Sequence, residues 1–233
     1  MSDKKSLKVF KPTGASIGYS RMPSDLVIAL NESCDFIASD PNLSARNDFS
    51  DQLVGRMQQQ FLIPIEVFKE WENWFKKAVK SYIYEHFISR YLPRQDEADN
   101  IPKTEVKELS KQFEIKFESG WFNRYFKGNF NPVHQHSFCN LSSVGFLKVP
   151  EWSEEIKEDR KINEPSAGRI EFISNGIGGL FDSASIKIVP HVGDYLLFPA
   201  NLNHVVYPFK SEGERRSFSI NISTLKGNQS PFY

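Results

Sequence analysis

Two histidines stand two residues apart in Asn131-Pro132-Val133-His134-Gln135-His136. On an extended backbone, residues i and i+2 project from the same face, so both imidazoles can reach one point. That convergence suits a transition-metal ion, and imidazole is a good ligand for iron, copper, zinc and nickel. An HxH pair alone is equally compatible with two histidines on a solvated strand. His204 follows Pro199 and a short loop in Leu196-Leu197-Phe198-Pro199-Ala200-Asn201-Leu202-Asn203-His204. Taken singly it is a structural turn residue. His86 lies in a helical stretch as a partly buried surface residue, and His191, after Pro190, occupies a turn.

Eleven residues beyond His204, Arg215 opens a strictly alternating run. Arg215, Ser217, Ser219 and Asn221 share one face, while Arg216, Phe218, Ile220 and Ile222 share the other. Upstream, Asn123 and Tyr125 alternate with Trp121, a pattern that cross-strand packing alone would explain. Asn131 can orient the histidine strand through a turn. Ser142 and Ser143 open the next strand near a pocket mouth. Glu171 and Asp194 are carboxylates at strand positions, neither with the spacing of a ligand partner, Glu171 being the better reserve.

These side chains need a scaffold, and the hydrophobic pattern supplies one. Pro23-Ser24-Asp25 starts a short helix, and the polar segment from Asp40 to Asp51 reads as a loop. Pro64 begins the clearest helix, with Val67, Phe68, Trp71, Trp74, Phe75, Ala78, Val79, Tyr82, Ile83 and Phe87 at three- and four-residue steps. It is a buttress for a sheet. From about Gln112 the period falls towards two, giving eight short runs between Gly, Pro, Asn and Ser turn signals. This is the content of a mainly β fold, a double-stranded β-helix (jelly roll, cupin-like) with N-terminal buttressing helices. Residues 1–233 form a single domain, with 1–110 a mostly helical elaboration and 111–225 the jelly-roll core that carries the site. The segment Glu151 to Pro165 is charged and reads as an exposed insertion.

Composition narrows the partners. Twenty-nine basic residues balance 29 acidic ones, which removes the electrostatic argument for nucleic acid or an anionic membrane. No apolar run reaches membrane-spanning length, and the first residues lack a secretory pattern. Cys34 and Cys139 are too few for a disulfide framework and suit a reducing cytoplasm. The aromatic N-terminal helix could pair two copies as a homodimer as well as buttress one.

The order HxH, then Gly-Asp-Tyr-Leu-Leu-Phe-Pro, then His204, then an Arg-x-Ser-x-Ser-x-Asn strand resembles the 2-oxoglutarate/Fe(II)-dependent oxygenases. More narrowly, it resembles a branch of oxygenases common in marine bacteria and phages. The resemblance covers about Gly120 to Ser223. It implies Fe(II) held by His134, His136 and His204, with His136 standing where the superfamily usually has a carboxylate. It implies 2-oxoglutarate as cosubstrate, its far carboxylate held by Arg215 in a bidentate fork, with Asn123, Tyr125 and Ser217 beside it. Arg216 would then point outwards or stand behind the site. The implied reaction couples decarboxylation of 2-oxoglutarate to hydroxylation of a small-molecule or peptidyl substrate. The same residues accommodate two other readings. One is a three-His cupin-type dioxygenase without 2-oxoglutarate. The other is a non-catalytic jelly-roll binding module.

Overall fold

The computed structural model describes residues 8–52, 55, 59–91, 107–108, 110–152, 165–174 and 184–226. In chain order they form β1 (Lys8–Thr13), β2 (Ala15–Arg21), α1 (Ser24–Ser39), α2 (Pro41–Asn47), β3 (Gln59–Leu62) and α3 (Ile65–Tyr91), followed by β4 (Phe113–Tyr125), β5 (Asn131–His134), β6 (Leu141–Lys148), β7 (Ile170–Ile173), β8 (Ser185–Ile188), β9 (Asp194–Pro199), β10 (Asn203–Val206) and β11 (Arg215–Lys226). One sheet has the order β1-β2-β9-β6-β11-β4-β3 and the other β5-β10-β7-β8. Their strand pairings are antiparallel. This is the expected double-stranded β-helix.

Alternation along the strands sorts the large sheet into two faces. Phe122 of β4, Leu197 of β9 and Phe218, Ile220 and Ile222 of β11 pack against α1 and α3, together with Phe75, Val79, Tyr82 and Ile83. Each such apolar side chain contributes about 1.5–3 kcal/mol on burial, so the helices pin this face. The other face looks towards the small sheet. There Val144, Phe146, Leu196 and Phe198 meet Ile170 and Phe172 of β7. The site lies in this inter-sheet layer.

Gly145 of β6 is the cross-strand partner of Phe218 of β11, whose ring lies over it. A Cβ added to Gly145 would lie 2.2 Å from Cε1 of Phe218. Overpacking of this kind costs about 1–3 kcal/mol. Gly145→Ala is therefore expected to lower the thermal midpoint by several degrees at about 2–4 °C per kcal/mol, measured by calorimetry. An unchanged midpoint would show that the contact is loose.

Two sequence expectations are revised and one is extended. The first 110 residues are not only helical: β1 and β2 extend one edge of the large sheet and β3 extends the other. These strands are short or edge-lying, so their alternation is weak. The stretch from Asp40 to Asp51 contains α2, because Asp40 caps it, its carboxylate accepting from the Asn42 and Leu43 amides at 2.7 and 3.3 Å. The runs either side of Gly120 are one strand, β4, with a bulge. Asn221 of β11 pairs with Ser119, but the next residue, Ile222, pairs with Phe117. The extra residue, Glu118, shifts the alternation by one and makes one strand look like two. Of the charged insertion, residues 153–164 lie outside the described set.

Candidate metal centre

β5 and β10 are neighbours in the small sheet, and His204 is paired directly with His134. His136 stands just beyond the end of β5, its amide donating to Ala200 O at 2.9 Å. The three rings converge. One nitrogen from each lies within 4.8 Å of the others, and Nε2 of His136 is 3.3 Å from Nε2 of His204. Two nitrogens bound at right angles to one ion, with bonds of about 2.1 Å, would stand roughly 3 Å apart. The spacing fits a shared ion.

Backbone carbonyls fix the tautomers of two rings. Nδ1–H of His134 donates to Pro132 O at 2.7 Å, and Nδ1–H of His204 donates to Leu202 O at 2.9 Å. A carbonyl can only accept, so in each neutral ring the bare lone pair is on Nε2. Burial, chiefly, lowers the pKa of all three, to about 4 for His136, where the neighbouring His134 also contributes. The imidazoles are neutral near pH 7 and can ligate without first losing a proton.

The histidines open into a cavity of about 510 Å³ whose walls come from both sheets. Arg215 lines it and is buried. Its Nη1 donates to Gly168 O at 3.1 Å and Tyr207 O at 3.2 Å, while Nε and Nη2 have no partner among the described residues. The guanidinium lies 4.4 Å from the Tyr125 ring centroid and 5.4 Å from that of Phe209. Among the described residues no carboxylate compensates it, and burial brings its pKa down to about 10. An unpaired buried cation is costly, and its free Nε/Nη2 edge is the fork that a carboxylate fills. Three imidazoles and this fork fit a ferrous ion with a diacid.

The polar lining predicted on β4 and β11 is also in place. Asn123, Tyr125, Ser217, Ser219 and Asn221 line the cavity, with Tyr125 opposite Arg215 and Asn123 opposite Ser217. Asn123 accepts from Gln60 Nε2 at 2.8 Å, a partner that the sequence did not suggest. Asn131 Nδ2 lies 3.3 Å from His134 Nε2.

Other candidates are elsewhere. Arg216 neither points outwards nor stands behind the site. It is fully buried on the helix side, bonded to Glu214 at 2.8 Å and Asp35 at 2.6 Å. α1 covers this face, bringing Asn31 and Asp35 to the guanidinium. Ser142 and Ser143 are buried between β6 and β11 rather than at a mouth, although Ser142 donates to Asn221 Oδ1 at 3.3 Å. Glu171 accepts from Tyr207 at 2.5 Å and from Ser185. It alternates with Ile170, which lines the cavity, and so faces away. Asp194 is bound by Arg21 and by Tyr19 at 2.9 Å. His86 meets Ser16 Oγ at 2.8 Å, and His191 is exposed beside Asp194.

Residues 119–221 match the sequence model of a family described as "Putative 2OG-Fe(II) oxygenase". No curated protein matches the chain in sequence. Among solved structures, the chain is similar to a Pseudomonas putida prolyl-4-hydroxylase, at 16% identity and TM-score 0.54, over 94% of this chain and 93% of that one. It is also similar to a prolyl hydroxylase from Trichoplax adhaerens, solved with a hypoxia inducible factor peptide fragment. There the identity is 14% and the TM-score 0.51, over 95% of this chain and 84% of that one.

Proposed function

With residues 119–221 matched to the 2OG-Fe(II) oxygenases, we propose that His134, His136 and His204 hold one Fe(II) and that Arg215 receives the far carboxylate of 2-oxoglutarate. The observation that carries this reading is the buried Arg215 with two unpartnered nitrogens in the cavity that holds the three histidines. A structural arginine would have found an acid, as Arg216 did.

When bound, Fe(II) and 2-oxoglutarate supply the oxidising chemistry, in which dioxygen and the keto acid give succinate, carbon dioxide and a hydroxylated substrate. The chain supplies position and exclusion of water. Carbonyl contacts at Pro132 and Leu202 aim two Nε2 lone pairs inward. Arg215 is held rigid by two carbonyls on one side and two aromatic faces, so little freedom is lost when a carboxylate docks. Asn123 and Ser217 offer amide and hydroxyl groups beside it. Val144, Phe146, Ile170 and Phe198 form the apolar wall, which strengthens charge interactions by keeping water out. The substrate, a small molecule or a peptidyl group, enters at the opposite end. Free Cys34 and Cys139 fit a reducing compartment such as the cytoplasm.

The test is succinate release with Fe(II), 2-oxoglutarate and dioxygen. Iron-dependent succinate formation is expected even without substrate, at a slow uncoupled rate. Tight iron binding with no consumption of 2-oxoglutarate would instead favour a three-His dioxygenase that uses no keto acid. Protein that retains no first-row metal would leave only a binding module.

A further inference from the structure

Resting on the function just proposed, this inference concerns the kind of substrate the cavity takes. β4 and β11 form a graded wall. From the Arg215 end outwards, the cross-strand pairs are Tyr125–Arg215, Asn123–Ser217, Trp121–Ser219 and Ser119–Asn221, all lining the cavity. Next to the last pair is the β4 bulge, and its extra residue is Glu118. Without the bulge, Glu118 would fall in phase with Phe122 and face the helices. With it, Glu118 lines the cavity. Bulges that re-aim a side chain are over-represented next to active sites.

Among the described residues lining the cavity, Glu118 is the one carboxylate. The same cavity is also lined by the aromatic rings of Phe49, Trp121 and Phe138. Trp121 stands 5.8 Å from the His136 ring and 5.5 Å from Phe49, centroid to centroid. Phe138 also lines the cavity, yet it is 78% exposed and held at φ 61°. A left-handed backbone is unfavourable for a bulky residue, and such strain clusters at ligand clamps. Aromatic faces beside a carboxylate attract cations. Glu118 already holds Lys116 at 2.7 Å, but Lys116 is 65% exposed. An exposed pair of this kind is worth about 0–1 kcal/mol, so an incoming cation can replace Lys116 at little cost.

We infer that the substrate carries a positive charge, an ammonium or guanidinium group, which Glu118 binds in the cavity that Phe49, Trp121 and Phe138 also line. Trp121 touches the metal-site ring of His136 and lies three residues from Glu118, about 10 Å of strand. The reacting C–H group is therefore separated from the charge by several bonds. The class is an amine-bearing small molecule or a basic side chain.

The probes are benzylammonium, benzyl alcohol and benzoate, titrated by ligand-observed NMR into anaerobic protein loaded with Fe(II) and 2-oxoglutarate. Benzylammonium is expected to bind at least tenfold more tightly than benzyl alcohol, with benzoate weakest. Glu118→Gln is expected to abolish the preference and Glu118→Asp to keep most of it. Benzyl alcohol or benzoate binding as tightly as benzylammonium, or a preference intact in Glu118→Gln, would overturn the inference. Titration of 2-oxoglutarate into the Fe(II)-loaded protein before the probes are added separates the two readings. Cosubstrate binding without a cation preference defeats only this inference. A Glu118-dependent cation preference without cosubstrate binding defeats only the oxygenase reading.

Discussion

Arg215→Met is expected to leave the ligand-free protein as stable as the parent or a few degrees more stable, and to abolish its stabilisation by 2-oxoglutarate. The two effects have one cause. Arg215 is 1% exposed and, among the described residues, faces no acid and leaves Nε and Nη2 without partners. Each buried unpaired polar group costs about 1–3 kcal/mol, and replacing a buried charge by an apolar side chain of similar volume is often neutral or stabilising. Against that gain stands the loss of two hydrogen bonds from a charged donor, to Gly168 O and Tyr207 O, worth about 1.5–3 kcal/mol each. The balance is small. For the ligand it is large, because removing one partner of a buried charge pair costs about 2–5 kcal/mol, or roughly 30- to 3,000-fold in affinity. Thermal unfolding with manganese(II), with and without 2-oxoglutarate, measures both. Arg216→Met should show the reverse pattern. That residue is bound by Glu214 and Asp35, which raise its pKa, so its loss breaks both ion pairs, leaves Glu214 with Arg124 alone and lowers the midpoint by several degrees. If Arg215→Met melted far below the parent and still responded to 2-oxoglutarate, the guanidinium would be a structural group.

The contrast between these two arginines shows how far the sequence reached. Period-two alternation put Arg215 on the face of Ser217 and Ser219, and the structure places all three on the cavity wall. Alternation says which side a residue faces and not what covers that side. Hence Arg216 was expected to point outwards or stand behind the site, whereas α1 brings Asp35 across to it. The same limit hid the aromatic clamp on Arg215, since Phe209 and Tyr125 are distant in sequence and meet only when β4 pairs with β11. Glu118 was hidden for another reason. A bulge breaks the very period by which strands are recognised, so in sequence it reads as a strand end. The helix α3 was legible because its apolar stripe is long and regular. β1, β2 and β3 owe their strand state mainly to the sheet edges they join.

Removing His204 is expected to lower metal affinity by more than 100-fold, whereas His136→Asp should bind the ion at least as well as the parent. His204 is the best fixed of the three rings. It lies opposite His134 in the β5–β10 register, donates to Leu202 O, and has Phe198 and Phe172 at 4.9 and 5.8 Å. Water entering an alanine's vacancy cannot reproduce that preorganised lone pair, and changes merely behind a ligand already cost about 10–100-fold. His136 differs in kind. It sits past the end of its strand, so a shorter acidic side chain has room to adjust. Three neutral imidazoles offer a dication no charge, and a carboxylate at this position adds one directly at the ion, where opposite charges attract most strongly. Anaerobic Fe(II) titration of both variants, alongside His136→Ala, decides the matter. Stoichiometric binding by His204→Ala at parental affinity would mean that the ion is not shared between β5 and β10. An affinity of His136→Asp as low as that of His136→Ala would mean that this position never reaches the metal.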